Sequence, residues 1–455
     1  MTFGPNFHRT FIKNALSKFK FDNATKNMRL SNIINKTELQ YNQRLSDKFN
    51  CNLFLKREDL QSVRSFKIRG AYNKIMNSIE QSKWIPHDEV VWKPEMQTPM
   101  SNLKHCYRKK LPTVVTVSAG NHAQGVSLTC SSLNLNHHIF LPENTPLQKI
   151  NRIKYYGKDK LTLHLKGNNF DESLAAANEF CKENKSIFVH PFDDEDVIIG
   201  QGTIGNEIYE EIKPDMIILP IGGGGLISGV GQYSKIMNKD CLIYGVEPKN
   251  ADSMTQSLKN KEITTIEDID TFVDGASVKT AGQKTFEICS KIIDDTFIID
   301  NNHLSYNMID VYQNEGIVLE PAGALSISCL DKIDKSKLKG KNIVCILSGG
   351  NNDISRYPDI SEKALLHQNL KHYFLITFGQ RPGELKKYIN NVLGRNDDIT
   401  RFEYLKRNNK NHGAVLLGIE LQQKEDITNI ISKMTESGFK YTKINPDDLL
   451  YSHLI

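Results

Sequence analysis

The sequence predicts an α/β protein built on parallel sheets, followed by a small α+β domain of ferredoxin-like order. Three observations carry this. Short continuous apolar runs alternate with helix-period segments from about residue 50 to residue 347, the pattern of parallel strands buried on both faces. Several of those runs end in clusters of glycine, serine and asparagine, at the edge where such sheets bind ligands. Beyond residue 370 the order changes to β-α-β-β-α-β.

The bulk numbers bound the reading. A chain of 455 residues is too long for one ordinary core, so two or more domains are expected. Apolar content of 39% and charged content of 24% fit a soluble globular protein. The net charge of +5 is spread along the chain, and the one basic run, Arg108-Lys109-Lys110, reads as a solvated face, so no nucleic-acid partner is predicted. Eight cysteines without Cys-x-x-Cys spacing, several in apolar runs, read as reduced buried thiols of an intracellular protein. The histidines lack zinc spacing and no apolar run approaches a membrane span. Residues 1–27 carry no acid before Asp22 and read as a frayed basic extension of a cytoplasmic protein. A presequence for the mitochondrial matrix is the other reading.

Taking the elements in order, 28–55 reads as a helix and then a strand ending at Leu53-Phe54-Leu55. A helix opens at Lys67 and runs to Ile75. Residues 78–112 hold Trp84, Trp92 and four prolines with no clear period, and read as an irregular insertion at the sheet end opposite the ligand edge. Strands are expected at 113–117, 139–141, 161–165, 187–189, 216–219, 242–246 and 342–347. Between them lie helices at 123–132, 146–156 (capped by Thr145), 170–184, 201–212 and 226–237. After a helical link at 361–369, strands at 373–378, 399–405, 414–421 and 441–444 enclose helices at 382–392 and 426–437. This last part holds no candidate catalytic cluster.

Four stretches gather at one sheet edge: Ser65-Phe66-Lys67, Ser118-Ala119-Gly120-Asn121-His122, Gly222-Gly223-Gly224-Gly225-Leu226 and Ser348-Gly349-Gly350-Asn351. Glycines between a buried strand and a helix let backbone N–H groups approach a phosphate, with the helix dipole adding to the field. A lysine at the same edge is a candidate covalent anchor for a phosphorylated cofactor. The rival is a dinucleotide site. Gly200-Gln201-Gly202-Thr203-Ile204-Gly205 spells its fingerprint, but Asp193-Asp194-Glu195-Asp196 separates it from the preceding strand. At the four-glycine loop, Gly223, Gly225 and Ser228 with Glu247 make a nearer match.

These stretches, with Ala123-Gln124-Gly125 and Glu320-Pro321-Ala322-Gly323-Ala324, resemble the two-lobed fold-type II pyridoxal-phosphate enzymes. Within them the chain is most similar to the biosynthetic threonine dehydratases (threonine ammonia-lyases), from about residue 28 onward. The C-terminal part resembles their single ACT-like regulatory domain, with Asp397-Asp398-Ile399-Thr400-Arg401-Phe402-Glu403-Tyr404 as a characteristic run. The resemblance implies a pyridoxal 5'-phosphate catalytic domain at 28–360 and a regulatory domain at 370–455, while the basic extension 1–27 and the insertion 78–112 depart from the family pattern. Lys67 would bond the cofactor and act as the base at Cα. Phe66 would pack on its ring and Asn121 would hydrogen-bond its phenolic oxygen. Gly222, Gly223, Gly224, Gly225 and Leu226 would bind its phosphate, and Ser348 would face the pyridine nitrogen. Ser118, Ala119, Gly120, Asn121 and His122 would hold the substrate carboxylate through backbone N–H groups. Glu320 would lie near the ring or cap a helix.

The reaction implied is β-elimination of L-threonine to 2-oxobutanoate and ammonia, opening isoleucine biosynthesis, with L-serine a poorer substrate. Isoleucine, and valine as a second candidate, would be effectors, and the assembly a homotetramer. Two departures matter. Ala119 stands where related serine racemases carry a second serine, which argues against racemisation. Ser253 stands where their acidic cation site after Glu247-Pro248 would need an acid, so no metal is predicted. The other readings are a catabolic serine/threonine dehydratase, which usually lacks such a C-terminal domain, and a non-catalytic amino-acid sensor, opposed by intact Lys67 and Ser348.

Overall fold

The computed structural model describes residues 5–82, 112–404, 411–446 and 448–455. The chain divides into two units: Met1–Ile299 with Val318–Asn352, and Asp300–Ile317 with Asp353–Ile455.

The first unit holds two sheets. The larger has six strands in the order Leu39–Tyr41, Asn52–Arg57, Asn342–Leu347, Met216–Pro220, Leu242–Pro248 and Asp295–Ile299. All neighbours are parallel except the edge strand Leu39–Tyr41. The central strands are the most continuously apolar: Ile343 to Leu347 and Met216 to Pro220 are buried at every position. The smaller sheet is fully parallel, ordered Leu161–Leu165, His137–Leu141, Val114–Val117 and Ile187–Phe188. The outermost strands of the larger sheet escape the sequence reading because Leu39–Tyr41 is three residues long and Asp295–Ile299 is only partly buried.

The N-terminal stretch corrects one expectation. It is not a frayed extension but a helix, Pro5–Ser31, whose Phe21, Ala24 and Met28 are buried. Phe21 and Ala24 pack with Ile199 and Tyr233, while Lys20 pairs with Glu195 and Arg29 with Glu210, each at 2.6 Å. Its apolar side chains are spread around the helix rather than gathered on one face, so they give no helical period. The Lys67 helix runs to Ser82, so 78–82 is helical; the remainder of the predicted insertion up to 111 lies outside the described residues.

Helix Glu195–Glu211 starts six residues earlier than its apolar period suggests, because the Asp194 carboxylate caps it by accepting N–H from Asp196 and Val197. The literal dinucleotide fingerprint therefore lies inside this helix. Its glycines are contact points. A Cβ on Gly202 would sit 2.9 Å from the Gly229 carbonyl, and one on Gly229 would meet the Ile198 carbonyl. Gly229→Ala is expected to cost roughly 1–3 kcal/mol by overpacking this crossing, read as a lowered denaturation midpoint.

In the second unit, helices Asn301–Glu315 and Tyr357–His367 pack together. An antiparallel sheet follows, ordered Asp398–Tyr404, His412–Glu420, Lys371–Gly379 and Lys440–Ile444. Helices Glu384–Asn391 and Asp426–Glu436 cover one face through Phe374, Phe378, Tyr388, Leu417 and Met434. Tyr451 and Leu454 of a short C-terminal helix pack with Tyr373, Leu416 and Ile444. This is the ferredoxin-like arrangement. No described helix is long and apolar enough to cross a membrane.

Candidate active site

Strands Asn52–Arg57 and Asn342–Leu347 run parallel and side by side, so the segments leaving their carboxyl ends meet. Ser65 bridges Gly349, and the Phe66 N–H donates to the Ser348 carbonyl at 3.1 Å. Lys67 opens its helix immediately after this bridge. Its Nζ donates to the Pro191 carbonyl at 2.8 Å and lies 5.4 Å from the centroid of the Phe66 ring. Desolvation lowers the Lys67 ammonium to about 8, with the Glu320 charge pulling the other way.

Two residues on, Arg69 is fully buried in a charge cluster that no periodicity announces. It donates to both oxygens of Glu58, at 2.8 Å each, and to both of Glu207, at 2.7 and 2.9 Å. Lys56, also buried, donates to Glu207 at 2.6 Å and to the Thr37 carbonyl at 2.7 Å. This cluster fixes the first turn of the Lys67 helix against the sheet.

Strand Met216–Pro220 leaves the sheet into the glycines, and Gly225 begins the helix Gly225–Met237. The loop is walled too closely for side chains. A Cβ on Gly222 would lie 3.1 Å from Ala276 Cα, one on Gly223 would enter the Phe192 ring, and one on Gly224 would lie 2.7 Å from Met254 Cε. Gly224 also has φ +90, which favours glycine. The N–H groups of a first helical turn have no partner within the helix, so this bare cradle suits a phosphate. The donor set fits a phosphorylated cofactor. Gly224→Ala is expected to weaken cofactor retention about tenfold or more, from strain of order 1–3 kcal/mol, measured by equilibrium dialysis.

From the smaller sheet, Val114–Val117 ends at Ser118, and Asn121 starts the helix Asn121–Ser132. Asn121 Nδ2 donates to both Glu320 oxygens at 2.7 and 2.9 Å, while its Oδ1 accepts from Asn351 Nδ2 at 2.8 Å. Glu320 occupies the N-cap position of Pro321–Ser328 but makes no side-chain cap bond. Burial raises its carboxyl to about 7. The Gly120 N–H donates to Ser118 Oγ at 3.1 Å, and a Cβ on Gly120 would meet nothing within 4 Å, so the loop faces open space. The His122 ring is turned away: it is buried, with Nε2 at 3.0 Å from the Val189 carbonyl. Leu226 likewise buries its side chain in the core, leaving its backbone for any ligand.

Residues 30–349 match the family described as pyridoxal-phosphate dependent enzyme, and residues 362–454 match the C-terminal regulatory domain of threonine dehydratase. A biosynthetic L-threonine dehydratase of Halalkalibacterium halodurans is 44% identical over 94% of this chain and 97% of its own. The corresponding protein of Bacillus subtilis is 42% identical over 94% and 95%. The chain belongs to the threonine dehydratases of the pyridoxal-phosphate-dependent enzyme family. Among solved structures, the processed threonine deaminase isoform 2 of Solanum lycopersicum superposes with a TM-score of 0.65 at 35% identity, covering 76% of this chain and 93% of that one. Maize serine racemase gives 0.63 at 28%, covering 76% and 97%.

Within this dehydratase fold the dinucleotide rival falls away. Glu247, at the end of Leu242–Pro248, accepts N–H from Met254 at 3.0 Å and from Thr255 at 2.7 Å, and so serves the next helix. Sequence reasoning missed the wall of the site. Pro191, Phe192 and Asp193 lie in a loop after a short strand and Thr285 in the first turn of the helix Gln283–Ile292, where no period marks them, whereas Asn351 belongs to the Ser348–Asn351 stretch already singled out. Thr285 Oγ donates to the Gly223 carbonyl at 2.7 Å.

Proposed function

We propose that this protein is a threonine ammonia-lyase that converts L-threonine to 2-oxobutanoate and ammonia. The observation that carries it is that Lys67, Ser348 and the glycine cradle, at the carboxyl edge of the larger sheet, meet Asn121 at the carboxyl edge of the smaller one, through the Asn121–Asn351 hydrogen bond. Pyridoxal phosphate, when bound, supplies an electron sink for negative charge at Cα. The residues that would hold it are Lys67 as covalent anchor, Gly222 to Leu226 for the phosphate, Phe66 and Asn121 at the ring, and Ser348 at the pyridine nitrogen.

Backbone N–H groups of 118–122 hold the substrate carboxylate, in the open space beside Gly120. Lys67 Nζ takes the proton from Cα, and an amine lowered to about 8 is well matched to that task near neutral pH. Loss of the β-hydroxyl gives an enamine, which water converts to 2-oxobutanoate and ammonia. Ala119 offers no proton on the opposite face, so no D-amino acid is expected from L-serine or L-threonine; chiral chromatography of the residual substrate checks this. The assignment of the cofactor to Lys67 is tested by a visible absorbance band in the purified protein, present in the wild type and absent in Lys67→Ala.

The catalytic part would span 28–360 and the regulatory part 370–455, with isoleucine as its effector. The match of 362–454 to a threonine dehydratase regulatory domain supports this. Isothermal titration checks it: a chain without 365–455 that still bound isoleucine undiminished would rule it out. A cytoplasmic homotetramer completes the reading.

A further inference from the structure

We infer that the turn Val189-His190-Pro191-Phe192-Asp193 is a positioning device. It holds the Lys67 amine on the Pro191 carbonyl whenever that amine is not bonded to the cofactor, and His190 is the residue that sets the turn. The inference rests on Lys67 as the cofactor-bonding lysine.

The geometry is specific. His190 Nδ1 accepts two backbone N–H groups, from Phe192 at 3.2 Å and from Asp193 at 2.8 Å. That double acceptance requires an unprotonated Nδ1, hence a neutral ring. Burial lowers His190 to about 4, and Lys67 adds to the lowering while Asp193 opposes it. The upstream end of the turn is fixed as well. The Val189 carbonyl accepts from Thr116 Oγ at 2.7 Å and lies 3.0 Å from His122 Nε2. The carbonyl between these two fastenings is the one that meets Lys67 Nζ at 2.8 Å.

A carbonyl is a suitable partner for a lysine that must act as a base. It orients the amine, and so restricts beforehand the side-chain freedom that a lysine otherwise keeps. Unlike a carboxylate it brings no full negative charge to hold the amine protonated. The charged or titratable groups that act on Lys67 are Glu320, His122 and His190.

The same turn reaches the phosphate cradle. Phe192 fills the space where a Gly223 side chain would lie. Asp193 Oδ1 accepts N–H from Lys284 at 2.9 Å and Thr285 at 3.1 Å, and Thr285 in turn holds the Gly223 carbonyl. One turn thus sets both the resting place of the amine and the wall of the glycine loop.

The test uses the full-length chain stripped of cofactor. The pH dependence of Lys67 acylation, followed by mass spectrometry, gives its apparent pKa, which the structure puts at about 8. In His190→Ala the loosened turn should admit water and relieve the desolvation that lowers the amine, so that value should rise by about one unit or more toward the ordinary lysine value. Affinity for added pyridoxal phosphate should fall about tenfold, the effect of two lost hydrogen bonds. His190→Asn should restore both, because an Asn oxygen accepts N–H groups two and three residues on. The idea is overturned if His190→Ala leaves both quantities unchanged, or if a folded His190→Asn is as impaired as the alanine variant. Should His190→Ala fail to fold, His190→Asn decides alone: wild-type values support the inference and shifted values sink it. Lys67→Ala tests the anchor assignment separately, through the visible band.

Discussion

Replacing Lys67 by alanine should lower kcat/KM for L-threonine by on the order of 10⁴-fold while leaving the fold intact. Lys67 follows the bridge between Ser65 and Gly349, and among the described residues its Nζ donates a hydrogen bond to the Pro191 carbonyl alone. Nothing in the core depends on its charge, so the thermal midpoint should scarcely move. Lys67→Arg should be nearly as inactive, since a guanidinium can neither bond the cofactor as an amine does nor give up its proton. Steady-state rates and melting curves on the same preparations separate a catalytic loss from a folding loss. An arginine variant with near-normal turnover would remove Lys67 from its role.

Arg69→Met should have the opposite profile, with a stability loss of about 3–5 kcal/mol. The change strips the cation shared by Glu58 and Glu207 and leaves Lys56 alone to balance two buried carboxylates. Removing one partner from such a cluster costs more than the cluster contributes as a whole, so Arg69→Met combined with Glu58→Gln and Glu207→Gln should recover much of the loss. The cluster also predicts a pH dependence. Neighbouring Arg69 and Lys56 hold Glu207 below the ordinary carboxylate range. Its contribution is therefore full above the unfolded value of about 4.3 and is lost as pH falls through the lower folded value. Urea midpoints measured across that range should drop steeply for the wild type and more gently for Arg69→Met.

The sequence made the parallel sheets legible because their central strands, such as Asn342–Leu347, are apolar without interruption and bounded by glycine-rich turns. The ferredoxin-like order of the C-terminal part was legible for the same reason, from the apolar runs at 373–378 and 414–421. What stayed hidden depends on tertiary contact. Phe21 and Ala24 become core residues only when helix Glu195–Glu211 lies beside them. The glycines at 200, 202 and 205 spell a phosphate motif in one dimension and are helix-crossing contacts in three. Asp193 and Asp194 read as a break in the pattern, whereas each caps a helix: Asp194 its own, and Asp193 the distant Gln283–Ile292. At the site, residue type and position pointed to Lys67, Asn121 and Ser348. The carbonyl of Pro191 could not be found that way, because a backbone acceptor leaves no mark in the choice of side chain.

The most direct test of the central claim is the release of 2-oxoacid by the purified full-length protein with pyridoxal phosphate and L-threonine, with L-serine in parallel, each with and without isoleucine. A threonine ammonia-lyase regulated through its C-terminal domain should release 2-oxobutanoate and ammonia in equal amounts, with a higher kcat/KM for threonine than for serine and a rate lowered by isoleucine. Absence of 2-oxobutanoate from a folded, cofactor-loaded protein would contradict the claim.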